Sequence, residues 1–182
     1  MTHESPTTAV PSPLVEVRNA SKWFGPLMAL NGISLEIRPG ITGLIGPNGA
    51  GKTTLLKMLT GQSKPSLGEV RICGENAWLA KAKAHVGFCP YGDATWDEFS
   101  GRKLIQMTAG LHGFTGEESK HRTESVLDTV GMDDRADRPV RTYSKVMRQR
   151  ITLGHALIHD PDLLVLDETL NGFYPVGREE RN

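Results

Sequence analysis

Cysteine is scarce in this chain: Cys73 and Cys89 are the only two, too few for a disulfide framework, and neither sits in a C-x-x-C or histidine-rich metal spacing. Such usage fits a reducing, cytoplasmic setting. An excess of charge of one sign is lacking as well. Lys plus Arg and Asp plus Glu number 21 each, so no global field draws in nucleic acid or an anionic membrane. No apolar stretch approaches the ~18 to 20 residues needed to span a bilayer, and residues 1–13 lack the charged-then-apolar layout of a signal segment. There is no internal repeat and no linker long enough to divide the chain, whose 182 residues suit one domain with a sizeable core.

What is present is well punctuated. Residues 1–13, with three prolines and several Ser and Thr, predict a disordered lead-in. Residues 14–18 alternate like a strand, and 32–37 do so again with Ile33, Leu35 and Ile37 on one face. The apolar run Ile41 to Ile45 predicts a strand ahead of a helix that begins near Gly51, with Gly61 as its C-cap and Pro65 as a stop. A short strand is expected over 69–73. Helices are expected over 101–112 and 117–130, the second closed by Gly131, with Leu104, Ile105, Met107, Val126, Leu127 and Val130 at core positions. Ser144 is the expected N-cap of a further helix that ends at Asp160-Pro161. Leu163-Leu164-Val165-Leu166 has the composition of a strand buried on both faces.

Gly46, Pro47, Asn48, Gly49, Ala50, Gly51, Lys52, Thr53 and Thr54 form a complete G-x-x-x-x-G-K-[ST] phosphate loop. Its glycines let successive N–H groups point into one concavity, and the helix that follows adds the positive end of its dipole. Lys52 is placed to reach the outer phosphates, and the Thr53 hydroxyl stands where Mg²⁺ would bridge phosphate oxygens. The motif predicts a triphosphate site.

Downstream, the apolar run 163–166 leads directly into Asp167-Glu168. An acid at the carboxyl end of a buried parallel strand lies where open α/β sheets bind their ligands. Asp167 is expected to orient Mg²⁺ through its water shell, and Glu168 to polarise the water that attacks the terminal phosphate.

Five segments in order make the chain resemble the ATP-binding domain of an ATP-binding-cassette (ABC) transporter. They are Trp23-Phe24-Gly25 (the aromatic loop), Gly46 to Thr54 (Walker A), Val86 to Tyr91 (the approach to the Q-loop), Tyr143 to Arg150 (the signature and its helix) and Leu163 to Glu168 (Walker B). The stretch Asp93 to Arg102 is similar to the lipid-exporter-like, ABC-2-type branch. The resemblance implies an α/β fold of the P-loop NTPase kind: a RecA-like parallel core, an antiparallel β subdomain and an inserted helical subdomain at about 92–155, within a domain running over 14–182. It implies ATP and Mg²⁺ as cofactors, with Lys52 and Glu168 catalytic. Phe24, Gly46 to Thr54, Ser144 and Asp167 would contact ATP, and Thr53 and Asp167 would hold Mg²⁺. The implied partners are a membrane-spanning subunit and a second ATP-binding domain, in a homo- or heterodimer on the inner face of the cell membrane that drives export. A nucleic-acid-handling relative is disfavoured because no basic strip is present.

Departures from the family pattern carry expectations of their own. Tyr91 stands in place of the Q-loop glutamine, and a phenol lacks an amide's paired donor and acceptor reach. Val146 replaces the second signature glycine, and a β-branched residue obstructs close backbone approach to a phosphate. Lys145, in place of the first, matches a form found in this branch. Thr169 replaces the proline after Walker B, and Tyr174 the D-loop aspartate. The family's switch histidine lies beyond Asn182, since the histidines at 3, 85, 112, 121, 155 and 159 are all upstream of Walker B. In the family a further strand lies between the Walker A and Walker B strands, and without it unpaired backbone groups cost on the order of 1 to 3 kcal/mol each if dry. Hydrolysis by this C-terminally incomplete chain alone is therefore expected to be absent or very weak, with an ATP-holding module or an inactive fragment as the alternatives.

Several residues admit two readings. Phe24 either stacks on adenine or closes a hairpin. Trp96 either helps dock a membrane subunit or packs locally. His155 and His159 share a helix at i, i+4 but lack a third ligand, so no metal is expected there. Arg148 and Arg150 read as helix-surface cations.

Overall fold

The computed structural model describes residues 12–90 and 97–167. The chain forms two compact units, Met1–Lys83 and Ala84–Asn182. The lead-in expected over 1–13 lies outside the described residues except for its last two.

In the first unit, strands β1 (Val15–Phe24), β2 (Leu27–Ile37), β3 (Leu67–Ile72) and β4 (Glu75–Asn76) make an antiparallel sheet in the order β2-β1-β3-β4. Helices α1 (Lys52–Leu59) and α2 (Ala80–Lys83) complete it. Alternation drives the sheet: Val15 pairs with Ile72 and Val17 with Val70, and all four are buried. Helix α1 packs on this sheet and buries Leu55, Met58 and Leu59. Both hairpin strands run longer than the alternating stretches of sequence, because pairing across the Phe24–Leu27 turn extends each beyond its apolar part. Helix α1 is capped at its C-terminal end by Thr60, with Gly61 following at φ 64°.

Ile41 to Ile45 is not a strand. The run is without regular structure, and Ile41 and Ile45 are essentially fully exposed, at 106% and 95%. A strand is defined by its neighbours' hydrogen bonds, and among the described residues no segment pairs with this one.

The second unit holds β5 (Val86–Cys89), α3 (Gly101–Leu111), α4 (Gly116–Thr129), two single 3₁₀ turns (Asp133–Arg135 and Val140–Thr142), α5 (Lys145–Leu157) and β6 (Leu163–Leu166). The three longer helices enclose a core that includes Ile105, Leu127, Met132, Val140 and Ile151. Ser100 and Ser144 are the N-caps of α3 and α5, each side chain accepting from the backbone N–H three residues on, at 3.3 Å. Met107, expected in the core, is 41% exposed, on the solvent side of α3. Strands β5 and β6 pair in parallel, Val86 with Leu163 through Cys89 with Leu166. Strand β6 is not buried on both faces: Val165 is buried, whereas Leu164 and Leu166 alternate with it on an exposed face. Among the described residues its apolar run has a layer of protein on one side only, which composition does not reveal. Among the described residues no helix is long and apolar enough to cross a membrane.

Candidate nucleotide site

The phosphate loop is built from backbone. Gly51 is the N-cap of α1 at φ 86°, and Gly49 lies at φ 82°. A Cβ on Gly51 would lie 2.6 Å from Leu30 Cδ2 and 2.7 Å from the Ala29 carbonyl oxygen, so the loop can seat on β2 only with glycine here. The loop closes on itself through Ala50 N–H to the Pro47 carbonyl at 3.2 Å. Residues 41–50 are all exposed, which leaves the concavity open to a ligand.

Lys52 folds back over this loop. Its Nζ donates to the carbonyls of Gly46 at 2.7 Å and Pro47 at 2.9 Å, so the ammonium already sits above the glycine-rich turn. Thr53 is exposed in the first turn of α1 and Thr54 half-buried behind it. Backbone N–H groups at a helix start, an ammonium and a hydroxyl suit a phosphate chain and a hard, oxygen-seeking cation such as Mg²⁺. The residues present therefore fit Mg-ATP.

Phe24 ends β1 opposite Leu27, and so it does close a hairpin. The ring is nevertheless half exposed, with the Lys22 ammonium 5.2 Å from its centroid. A face that accepts a cation also accepts a stacked base.

Signature and Walker B residues belong to the second unit. The Ser144 hydroxyl accepts from Met147 N–H at 3.3 Å and is thus engaged in capping its own helix. Val146 stands on the first turn of α5 with its side chain 40% exposed. Asp167 follows β6, half-buried, and its N–H extends the β5 pairing by donating to the Cys89 carbonyl at 3.1 Å. Cys89 itself is buried, and desolvation pushes its thiol up to about 11, which leaves it protonated and inert. Glu168, Tyr91, Trp96, Thr169 and Tyr174 lie outside the described residues.

The profile of the ABC transporter family matches residues 30–171, most of the chain and every motif from Walker A to Walker B. The chain belongs to the ABC transporter family. Among curated relatives it is 36% identical over 168 residues to Nod factor export ATP-binding protein I of Cupriavidus metallidurans, covering 91% of this chain and 55% of that one. It is 39% identical over 171 residues to the uncharacterized ABC transporter ATP-binding protein YhcH of Bacillus subtilis, covering 92% and 55%. This ABC chain thus spans about half the length of the curated relatives it matches. Two solved structures share its fold at 24% identity: an ATP-binding subunit of an ABC transporter (TM-score 0.79, covering 89% of this chain and 69% of that one) and cbiO1 of Clostridium perfringens, part of the transporter complex cbiONQ (TM-score 0.78, 91% and 69%). The fold is accordingly that of an α/β P-loop NTPase.

Sequence reasoning missed the framework behind the signature. Asp97 pairs with Arg148 and Glu98 with Arg141, both at 2.8 Å, while Val140 N–H donates to the Phe99 carbonyl at 2.9 Å. These contacts tie the segment ahead of α3 to the start of α5. Arg148 is therefore an ion-pair partner and not a free surface cation, and Arg150 donates to the Gly131 carbonyl at 3.0 Å. The acidic Asp97-Glu98 pair, two to three residues ahead of the Ser100 cap, was the available signal.

Proposed function

We propose that this chain is an ATP-binding subunit of an export-type ABC transporter, holding Mg-ATP on its phosphate loop. The observation that carries this reading is the glycine-only seat at Gly51 with Lys52 folded across the loop carbonyls. Lys52 would exchange those two carbonyls for the outer phosphate oxygens, so the ammonium needs little rearrangement to bind. The N–H groups from Gly49 to Thr53 would line the phosphate chain, Phe24 would cover the adenine, and Thr53 with Asp167 would hold Mg²⁺, Asp167 through water. Bound Mg²⁺ would supply charge neutralisation across the outer phosphates. Glu168 is assigned to orient the attacking water.

Ser144 would reach the triphosphate of a second ATP-binding domain, in a homo- or heterodimer, and a separate membrane-spanning subunit would carry the cargo at the inner face of the membrane. Val146 favours a second reading of the same site, ATP held with little hydrolysis, because its side chain occupies the first turn of α5 where close backbone approach is needed. Calorimetric titration tests the assignment. Wild-type chain is expected to bind Mg-ATP, Phe24→Ala to weaken binding by roughly the ~1–3 kcal/mol of one aromatic–base stack, and Lys52→Ala to lose it. Unaltered affinity in Lys52→Ala would overturn the site.

A further inference from the structure

We propose that the seam between α3 and α5 is a proton-operated latch, closed by neutral histidines and released when they are protonated. Three imidazoles build it. His155, in the last turn of α5, sits with Nδ1 2.6 Å from the hydroxyl of Thr108 on α3. With that hydroxyl's hydrogen on the Leu104 carbonyl, 3.1 Å away, Nδ1–H of His155 donates and Nε2 is the bare acceptor. Nε2 is buried and has no partner among the described residues.

One turn further on, the His159 ring lies flat against that of His112, which caps the C-terminal end of α3; the centroids are 4.0 Å apart and the planes 4° from parallel. His159 Nε2 lies 3.2 Å from the Val86 carbonyl on β5, which can only accept, so Nε2 carries the proton. Nδ1 is again buried without a partner among the described residues. His155 in α5 and His159 just past its end thus meet Thr108 in α3 and His112 at its C-cap, each pair at i, i+4, and each of the two α5-side histidines has a buried nitrogen without a partner among the described residues.

A proton added at either nitrogen would place an N–H donor and a full charge where no described group accepts them. Protonating both stacked rings would also set two like charges face to face. The titratable and charged groups acting on the seam are His112 from α3, His155 and His159 from α5 and its end, and the acid Asp160, which favours a charged His159 but is outweighed by burial and by His112; β5 contributes the Val86 carbonyl. Burial pulls His155 down to about 4, and burial lowers His112 and His159 as well.

The sign follows from linkage. A histidine freed by opening titrates near its ordinary 6.5, so the closed seam is favoured fully above that pH and loses its advantage as pH falls from there toward 4. From pH 7.5 to 5.0, His155 alone lowers the closed-to-open ratio by about thirtyfold.

Amide hydrogen exchange of the full 182-residue chain, corrected for the intrinsic pH dependence of exchange, measures the effect directly. Protection of residues 101–111 is expected to fall by ten- to thirtyfold between pH 7.5 and 5.0, as roughly the linkage requires, and to change less than about threefold in His155→Gln/His159→Gln, whose amides cannot titrate. Equal protection at both pH values in the wild type, or the same loss in the double variant, would overturn the proposal. If that variant does not fold, NMR titration of the wild-type imidazoles decides. His155 titrating far below the ordinary 6.5 supports the latch, and all three rings titrating near 6.5 contradicts it.

Discussion

The hydroxyl of Tyr143 accepts a hydrogen bond from Gly101 N–H at 3.3 Å and donates to the carbonyl of Arg135 at 2.9 Å, joining the start of α3, the first 3₁₀ turn and the start of α5 in one buried node. Burial keeps the phenol protonated and hence a donor. The adjacent residue is Ser144, so this node fixes where the signature serine stands. Tyr143→Phe leaves the buried Gly101 N–H without its partner, while the Arg135 carbonyl keeps the N–H of Arg138 at 3.2 Å, and is expected to cost about 1–3 kcal/mol. Urea unfolding checks this, and an unchanged midpoint would mean that water already serves that N–H.

Gly87 is the point at which β5 and α5 touch. A Cβ there would lie 2.2 Å from the Ala156 carbonyl oxygen and 2.8 Å from Pro161 Cγ, and neither neighbour is the end of a flexible side chain. Gly87→Ala is expected to destabilise by roughly 1–3 kcal/mol or more through this overpacking. A thermal melt that matches wild type would show that the strand does not sit so close to the helix.

Ser144 has two roles that a pair of substitutions separates. Ser144→Ala removes the cap of α5 and should cost about 1 kcal/mol, whereas Ser144→Asp keeps a capping oxygen and should melt near wild type. Equal destabilisation by both would argue that capping is not what the side chain contributes.

Caps and the phosphate loop were legible in the sequence because each is a local, contiguous device. Ser144, Gly51 and Gly131 mark helix ends by their own chemistry. Strands are relations, and there the sequence misled: Ile41 to Ile45 has a strand's composition but no ladder partner among the described residues, while Val86–Cys89 was legible only as a motif, its strand character resting on pairing with Leu163–Leu166 far along the chain. The same distance hid the Tyr143 node and the Asp97–Arg148 pair, whose partners are brought together only by packing. Met107 failed for a smaller reason, lying one helical step outside the apolar stripe.

Steady-state phosphate release by the isolated chain is expected to stay at background. Val146 on the first turn of α5 and Tyr91 in place of the glutamine both act against assembly of a competent site. Release that disappears in Lys52→Ala would contradict this expectation and restore full catalytic competence to the chain.

Thermal unfolding with and without Mg-ATP tests the central claim, that residues 46–54 hold a triphosphate in this chain as it stands. At a hundredfold excess over the dissociation constant, linkage of ~2.7 kcal/mol should raise the midpoint by roughly 5 to 10 °C for a domain of this size. Lys52→Ala should melt near the wild-type temperature and lose the shift. A wild-type midpoint that does not move with Mg-ATP, or one that moves equally in Lys52→Ala, would contradict the account.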